Sequence, residues 1–122
     1  MPAHAIPDPK VAYRIRLHIS LYDYIQQLAE KRDLSVTKLT ASMIEERIAE
    51  IKQVRSYSLH PMTEVYSLSR NPTMKVGTTP MNIYMRQSDN NKVEKLAAYH
   101  NCSIPAMRNS LILDMLERNE II

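Results

Sequence analysis

The chain contains the same pattern twice, at a spacing of 68 residues. When residues 13–50 are placed over residues 81–118 without a gap, seven of the 38 pairs are identical. Most of the remaining apolar positions agree in kind through three successive segments, which a chance alignment rarely achieves. Each copy has about 40 residues, too few to bury a stable core alone. The repeat therefore predicts two halves that complete one another in a single fold.

Each copy begins with a short segment that alternates between apolar and polar residues. Alternation with a period of two is typical of a strand that is buried on one face. The residues predicted to point inward are Tyr13, Ile15, Leu17, Met81, Ile83 and Met85. The residues predicted to point outward are Ala12, Arg14, Arg16, Pro80, Asn82 and Tyr84. This alternation predicts one strand of about five residues in each copy.

Two helices are predicted after each strand, because apolar residues recur there at helical spacing. Serine is a favoured N-cap, and the predicted caps of the four helices are Ser20, Ser35, Ser88 and Ser103. Asp33 and Asn101 fall between the two helices of each copy, where a residue that tolerates the left-handed conformation is needed. Cys102 aligns with Leu34, and both are predicted to be buried in the core.

A single strand per copy leaves backbone N–H and C=O groups unpaired, so each strand needs a partner. The nearest partner is the other copy, although like repeats of two chains could also pair. The predicted fold is therefore mainly α-helical, with a short two-stranded antiparallel ribbon backed by four helices. Such a ribbon fits the major groove of duplex DNA. Arginine suits guanine and asparagine suits adenine, so Arg14, Arg16 and Asn82 are candidate base-reading residues.

The remaining chain divides into an arm and a linker. We predict an extended arm over residues 1–10, a first repeat over 11–51, a linker over 52–79 and a second repeat over 80–122. A connection of this length is long for a bare loop in a compact domain. It is either a flexible tether or a segment that docks a short helical turn on the helices. The docking residues would be Leu59, Met62, Val65, Tyr66 and Leu68.

Composition narrows the classes of function. The net charge is only +3, but basic residues concentrate outside the helices, a distribution consistent with a polyanion partner. The histidines and the single cysteine lack the spacing of metal ligands, and no phosphate loop or catalytic constellation is present. We expect no enzyme activity, cofactor or metal. No run approaches the ~20 apolar residues of a membrane span, and one cysteine suits the reducing cytoplasm.

The strand–helix–helix pattern resembles the ribbon-helix-helix superfamily of Arc- and MetJ-type regulators. The resemblance rests on Arg16-Leu17, on Ala29 and on the Leu34-Ser35-x-Thr37 segment that opens the second helix. It covers about 80 of the 122 residues. Two tandem copies on one chain are similar to the TraY-type accessory proteins of conjugative plasmids.

The resemblance implies roles for particular residues. The base-reading residues would be Ala12, Arg14 and Arg16 of the first strand and Pro80, Asn82 and Tyr84 of the second, which has no basic residue among these positions. Backbone amides at Ser35-Val36 and Ser103-Ile104 would hold phosphates, a role that helix dipoles also favour. Lys10 and Lys38 are further candidates for phosphate contact.

The implied function is sequence-specific binding of double-stranded DNA by a transcriptional regulator of a plasmid, phage or other mobile element. Two alternatives stay open. One is an accessory protein of conjugative DNA processing, and the other is an antitoxin or protein-interaction module. We expect a cytoplasmic protein associated with the nucleoid or a plasmid. Self-association on DNA and a protein partner bound through residues 52–79 are additional candidates.

Overall fold

The computed structural model describes residues 8–66 and 77–122. The elements are β1 (Lys10–His18), α1 (Ile19–Arg32), α2 (Val36–Glu50), a 3-10 turn (Val54–Ser56), α3 (Thr63–Tyr66), β2 (Thr78–Arg86), α4 (Gln87–Tyr99) and α5 (Ile104–Arg118). The protein is mainly helical with a two-stranded antiparallel sheet, as predicted, and each strand is followed by two helices. Most of the predicted arm, together with Leu68 of the linker, lies outside the described residues. Within the described parts, no helix combines the length and apolar character that a membrane crossing requires.

Strands β1 and β2 pair with each other within the chain. Arg14 lies opposite Asn82, which occupies the same position in the second repeat. The predicted outward residues of both strands are exposed, whereas Ile15, Leu17 and the three inward residues of β2 are buried. The predicted alternation of faces is therefore confirmed.

The strands are longer than the sequence predicted. Each has nine residues instead of about five. Val11 continues the apolar alternation toward the chain start, and its partner is Met85. Lys10, assigned to the arm, begins β1, and Thr78, assigned to the linker, begins β2. The longer pairing arises because each added residue finds a backbone partner on the other strand.

The inner face of the sheet packs on the helices to form one hydrophobic core. The fully buried side chains of this core include Leu17, Leu21, Ile25, Leu39, Met43, Ile44, Ile83, Met85, Leu96, Met107 and Leu111. Helices α2 and α5 pack against each other, and both contact the sheet. Burying a side chain of this size contributes ~1.5–3 kcal/mol. A truncation such as Ile44→Ala, which leaves a cavity, would cost ~2–5 kcal/mol.

The turns between the helices match the prediction. Asp33 and Asn101 adopt the left-handed conformation, with φ of 54° and 53°. Ser35 then caps α2 by accepting a hydrogen bond from the Lys38 N–H at 3.2 Å. Ser103 caps α5 by accepting one from the Ala106 N–H at 3.1 Å. These two serines therefore fix the starts of the second helix in each repeat.

The predicted caps Ser20 and Ser88 are wrong. Helix α1 is capped by His18, whose Nδ1 accepts a hydrogen bond from the Ser20 N–H at 3.0 Å. Helix α4 is capped from a distance by Asp8, whose carboxylate accepts from the Ser88 N–H at 3.1 Å and from its hydroxyl at 2.6 Å. Both strands run directly into their helices, so each serine lies in the first turn instead of before it.

Leu34 and Cys102 are not the core residues that the alignment suggested. Leu34 is 44% exposed and Cys102 is only half-buried. Each follows the left-handed turn residue and precedes the N-cap serine, a place where the chain passes over the surface. Burial nevertheless raises the pKa of the Cys102 thiol.

The described part of the linker is docked on α5. Tyr57, His60 and Thr63 are buried there, and α3 contacts α5. Among the predicted docking residues, Leu59 and Tyr66 pack partly buried against the core, whereas Met62 and Val65 are 40% and 59% exposed. Residues 52–66 are therefore docked on the helices and are not a flexible tether. Polar residues contribute more to this docking than the sequence predicted.

Candidate nucleic-acid interface

The outward face of the ribbon carries five cross-strand rows of side chains. Along β1 they are Lys10 with Arg86, Ala12 with Tyr84, Arg14 with Asn82, Arg16 with Pro80, and His18 with Thr78. Side chains on one face of a strand repeat every two residues, so adjacent rows are ~7 Å apart. The structure thus brings all of the predicted base-reading residues together on one exposed surface, which we call the ribbon face.

The central rows of the ribbon face carry side chains whose hydrogen-bonding groups are largely free of partners among the described residues. Within residues 8–66 and 77–122, Arg14 makes no hydrogen bond or salt bridge to another side chain. Arg16 donates from Nη1 to the Thr78 hydroxyl at 3.2 Å, which orients its guanidinium along the ribbon. Tyr84 is 58% exposed. The ribbon face therefore offers guanidinium, amide and phenol groups to an external ligand.

Arg86 is a residue of the ribbon face that the sequence did not identify. The last residue predicted for the second strand was Met85, but Arg86 ends β2 and faces Lys10, so β2 does carry a basic outward residue. Its Nε lies 3.6 Å from Asp89 Oδ2, and more than half of the side chain is exposed. The signal that could have located it is the parity of the strand, because Arg86 continues the outward series of Asn82 and Tyr84.

The start of α2 lies next to one end of the ribbon face. A groove of about 400 Å³ runs between them. Its lining residues are Lys10, Thr37, Lys38, Ala41, Ser42, Glu45 and Tyr84. Two predicted phosphate-binding lysines, one from β1 and one from α2, therefore border the same recess as the candidate reader Tyr84. Ser35 and Val36 stand at the start of the same helix.

The corresponding start of α5 is built differently. Ser103 and Ile104 open the helix as predicted, but Pro105 and Ala106 take the places of the threonine and lysine of α2. Arg108, the nearest cation along the helix, is partly buried, and that burial lowers its pKa. Helix α5 therefore opens without an exposed basic side chain, so its predicted phosphate site would depend on the backbone.

Across the described segments, no three histidine, cysteine or acidic side chains come close enough together to hold a metal ion.

Comparisons of this chain with known proteins give no match. Neither the scan against protein-family models, nor the search of curated proteins, nor the search of solved structures finds a similar protein.

Proposed function

We propose that this protein binds double-stranded DNA sequence-specifically through the ribbon face and regulates transcription on a plasmid, phage or other mobile element. The proposal includes the finer architecture, in which the chain is a tandem ribbon-helix-helix protein and its two repeats form a pseudo-dimer. The observation that carries it is the ribbon face itself, where Arg14 lies opposite Asn82 at the centre of an exposed ribbon.

The dimensions of the ribbon suit a major groove. Its two strands lie ~4.8 Å apart, and the major groove of B-form DNA is ~12 Å wide. Arg14, Arg16 and Asn82 supply the donors and acceptors that can distinguish base pairs from their edges. Ala12 and Tyr84 in the adjoining row offer apolar contact to a thymine methyl group. All of these side chains would enter the groove together, because they lie on the ribbon face.

The register of the ribbon supports the pseudo-dimer. In an antiparallel pair of repeats related by a twofold axis, only one residue can face its own equivalent, and that pair marks the axis. Here the pair is Arg14 and Asn82, the middle residues of two nine-residue strands. The axis we propose therefore passes through the centre of the ribbon, with α1 and α2 on one side and α4 and α5 on the other.

Phosphate contacts would hold the ribbon in the groove. Helix N-termini carry amides and a partial positive charge that attract phosphate, so Ser35-Val36 and Ser103-Ile104 would contact the DNA backbone. Lys10 and Lys38 would add direct charge from the groove beside α2. Such contacts set position and affinity, whereas base contacts set sequence preference.

An accessory role in conjugative DNA processing would use the same ribbon face, and the genes beside the coding sequence would separate the two roles. A protein-interaction module is the second candidate. The observation that favours it is the outer surface of the docked linker, where Met62 and Val65 are exposed. A partner could bind there without involving the ribbon face.

Selection of bound duplexes from a random pool tests the proposal. The wild-type protein should enrich a defined sequence, and Arg14→Ala should relax the preference at one or two base pairs. A bidentate arginine–guanine contact supplies ~1–3 kcal/mol of discrimination, so the preferred base should lose ~5- to 150-fold in selectivity. Arg55→Ala is the matched control, because Arg55 is an exposed arginine of the 3-10 turn whose Nε donates to Gln53.

The control should leave the selected sequence unchanged. The proposal fails if the wild-type protein enriches no sequence. If a sequence is enriched but both Arg14→Ala and Arg16→Ala select it unaltered, the ribbon face is not the reading element. The interaction module would then become the better explanation.

A further inference from the structure

Charge is distributed unequally between the two ends of the ribbon face. One end, which we call the basic end, carries Lys10 and Arg86 in its last row, with Lys38 of α2 across the groove. Within the described residues, neither Lys10 nor Lys38 takes part in a salt bridge. Arg86 lies close to two carboxylates, those of Asp89 and Asp8. The basic end therefore has two lysines whose charges no neighbouring carboxylate pairs.

Among residues 8–66 and 77–122, the opposite end of the ribbon face carries almost no charge. Its last row consists of His18 and Thr78. His18 is occupied within the fold, because its Nδ1 caps α1 and its ring packs edge-on against Tyr66 at 5.4 Å. Tyr66 also accepts a hydrogen bond from Asn109 of α5, so the first turns of α5, which begins with Ile104, Pro105 and Ala106, lie near this row. In the part of the chain that the structure describes, the exposed cation closest to this row is Arg16, one row further in, which we assign to base reading.

The starts of α2 and α5 also differ in the number of backbone N–H groups that are available to a phosphate. In α2 the Lys38 N–H is taken by Ser35, and the amides of Val36 and Thr37 precede it without a partner inside the helix. In α5 the Ala106 N–H is taken by Ser103, and Pro105 has no N–H. Only the Ile104 amide remains there. The two lysines and the two amides thus lie at the same end.

We infer that the protein makes ionic contacts with the phosphates of one flank of its DNA site, through Lys10 and Lys38, and so binds in a single orientation. This inference rests on the proposed DNA-binding function and adds a polarity to it. The groove between the two lysines faces the phosphates of the flank next to the start of β1. The flank next to His18 receives contacts from the backbone of α5 and little ionic attraction from the described residues.

Glu45 also lines the groove and sets a limit on where a phosphate can lie. It follows Lys38 by seven residues, so it stands ~10 Å further along α2. A phosphate is attracted to the mouth formed by Lys10, Lys38 and the amides, and is repelled from the deeper end. Removing the Glu45 charge should therefore strengthen binding to all sequences alike.

Salt dependence of binding tests these ionic contacts directly. The probe is a duplex of ~30 bp with a fixed, arbitrary sequence, because the ionic contribution to binding does not depend on sequence. The test therefore does not require a known target. Each phosphate contact contributes ~0.9 to the slope of log affinity against log salt concentration. Lys10→Ala and Lys38→Ala should each reduce the slope by ~0.9, and Glu45→Gln should raise affinity at each salt concentration. Lys95→Ala is the matched control, since Lys95 is exposed on α4 away from the groove.

When the salt concentration rises from ~50 to ~200 mM, the fold-loss of affinity should be ~12 times smaller for the double lysine variant than for the wild-type protein. Slopes that match those of the Lys95→Ala control would overturn the inference while leaving the proposed function standing, provided that wild-type protein binds. Absence of duplex binding by the wild-type protein would overturn both.

Orientation is tested on the duplex enriched by the selection. Methylphosphonate linkages, which carry no charge, replace the phosphates of one flank and then of the other. Neutralising one flank should abolish the difference between wild type and the double lysine variant, and neutralising the other should leave it intact. Equal sensitivity of the two flanks would overturn the single orientation without affecting base recognition.

Discussion

Replacing Tyr57 by phenylalanine should test how firmly the linker is docked. The Tyr57 hydroxyl donates to Asp114 Oδ2 at 2.7 Å and lies 2.5 Å from the Ser110 hydroxyl. Since its only proton goes to Asp114, Ser110 must donate to Tyr57. Ser110 in turn accepts from the His60 N–H at 2.9 Å. Burial raises the pKa of Tyr57 above its ordinary value, so the hydroxyl stays a donor at neutral pH.

The expected loss in the free energy of unfolding follows from the contacts that phenylalanine keeps and those that it removes. It keeps the ring, including the contact with the Arg47 guanidinium 5.2 Å from the ring centre. It removes a hydrogen bond to a carboxylate, which is worth ~1.5–3 kcal/mol. Asp114 keeps the 3.0 Å hydrogen bond from Arg47 Nε, so the carboxylate is not stranded. We therefore expect Tyr57→Phe to lower the free energy of unfolding by ~2 kcal/mol.

Urea unfolding followed by circular dichroism measures this difference. Ser110→Ala and the double variant complete a cycle, and contact between the two hydroxyls predicts a coupling energy of ~1 kcal/mol or more. Tyr99→Phe is the matched control, because Tyr99 is 57% exposed and should change stability by less than ~0.5 kcal/mol. A Tyr57→Phe protein as stable as that control, or additive effects in the cycle, would refute the docked network and favour a flexible tether.

Two further predictions concern helix caps. Ser35→Ala and Ser103→Ala should each lower the free energy of unfolding by ~1 kcal/mol and weaken binding to all duplexes similarly; loss of affinity for one sequence alone would contradict the phosphate assignment. Asp8→Ala should lower the melting temperature at pH 7. Hydrogen bonds from the Ser88 hydroxyl and amide hold the pKa of Asp8 below its ordinary value of 3.8. The stabilisation is therefore complete above that pH and disappears as pH falls through the lowered pKa, so the two melting temperatures should converge in acid.

Much of the backbone could be predicted from the sequence because its signals are local. Alternation of apolar residues located both strands and their buried faces. Ser35 follows the left-handed residue Asp33, and Ser103 follows Asn101 in the same way, so the turn and the cap reinforce each other in both repeats. The ends of the strands were missed because pairing with a distant partner decides them.

The polar contacts that close the structure could not be predicted, since they join residues far apart in the chain. Asp8 caps a helix that starts nearly 80 residues later, and Tyr57 reaches Ser110 and Asp114 on α5. A hydroxyl or carboxylate at such a site has no periodicity to mark it. His18 was missed for a different reason, because a histidine cap competes with a neighbouring serine that fits the usual preference.

Ser42 and Ser110 illustrate how identical residues of a repeat acquire different environments. Both occupy the same position in the second helix of their repeat. Ser110 is fully buried and bonded to the linker, whereas Ser42 donates to Glu46 at 3.3 Å and lines the open groove beside Lys10. The alignment alone would have assigned them one role.

A single linker is the physical source of this difference. It leaves the end of α2 and covers α5, where Asn109 donates from Nδ2 to the Tyr66 carbonyl oxygen at 3.1 Å. Two repeats on one chain share only one such connection, so no described residue of the linker covers the matching surface of α2, where the groove borders Lys10 and Lys38. Two separate chains related by a true twofold axis would have equivalent surfaces and could not distinguish the ends of a DNA site in this way. Covalent joining of the repeats therefore permits the ionic contacts that we infer on one flank of the DNA. Substitutions in α2 alone should be enough to strengthen these contacts.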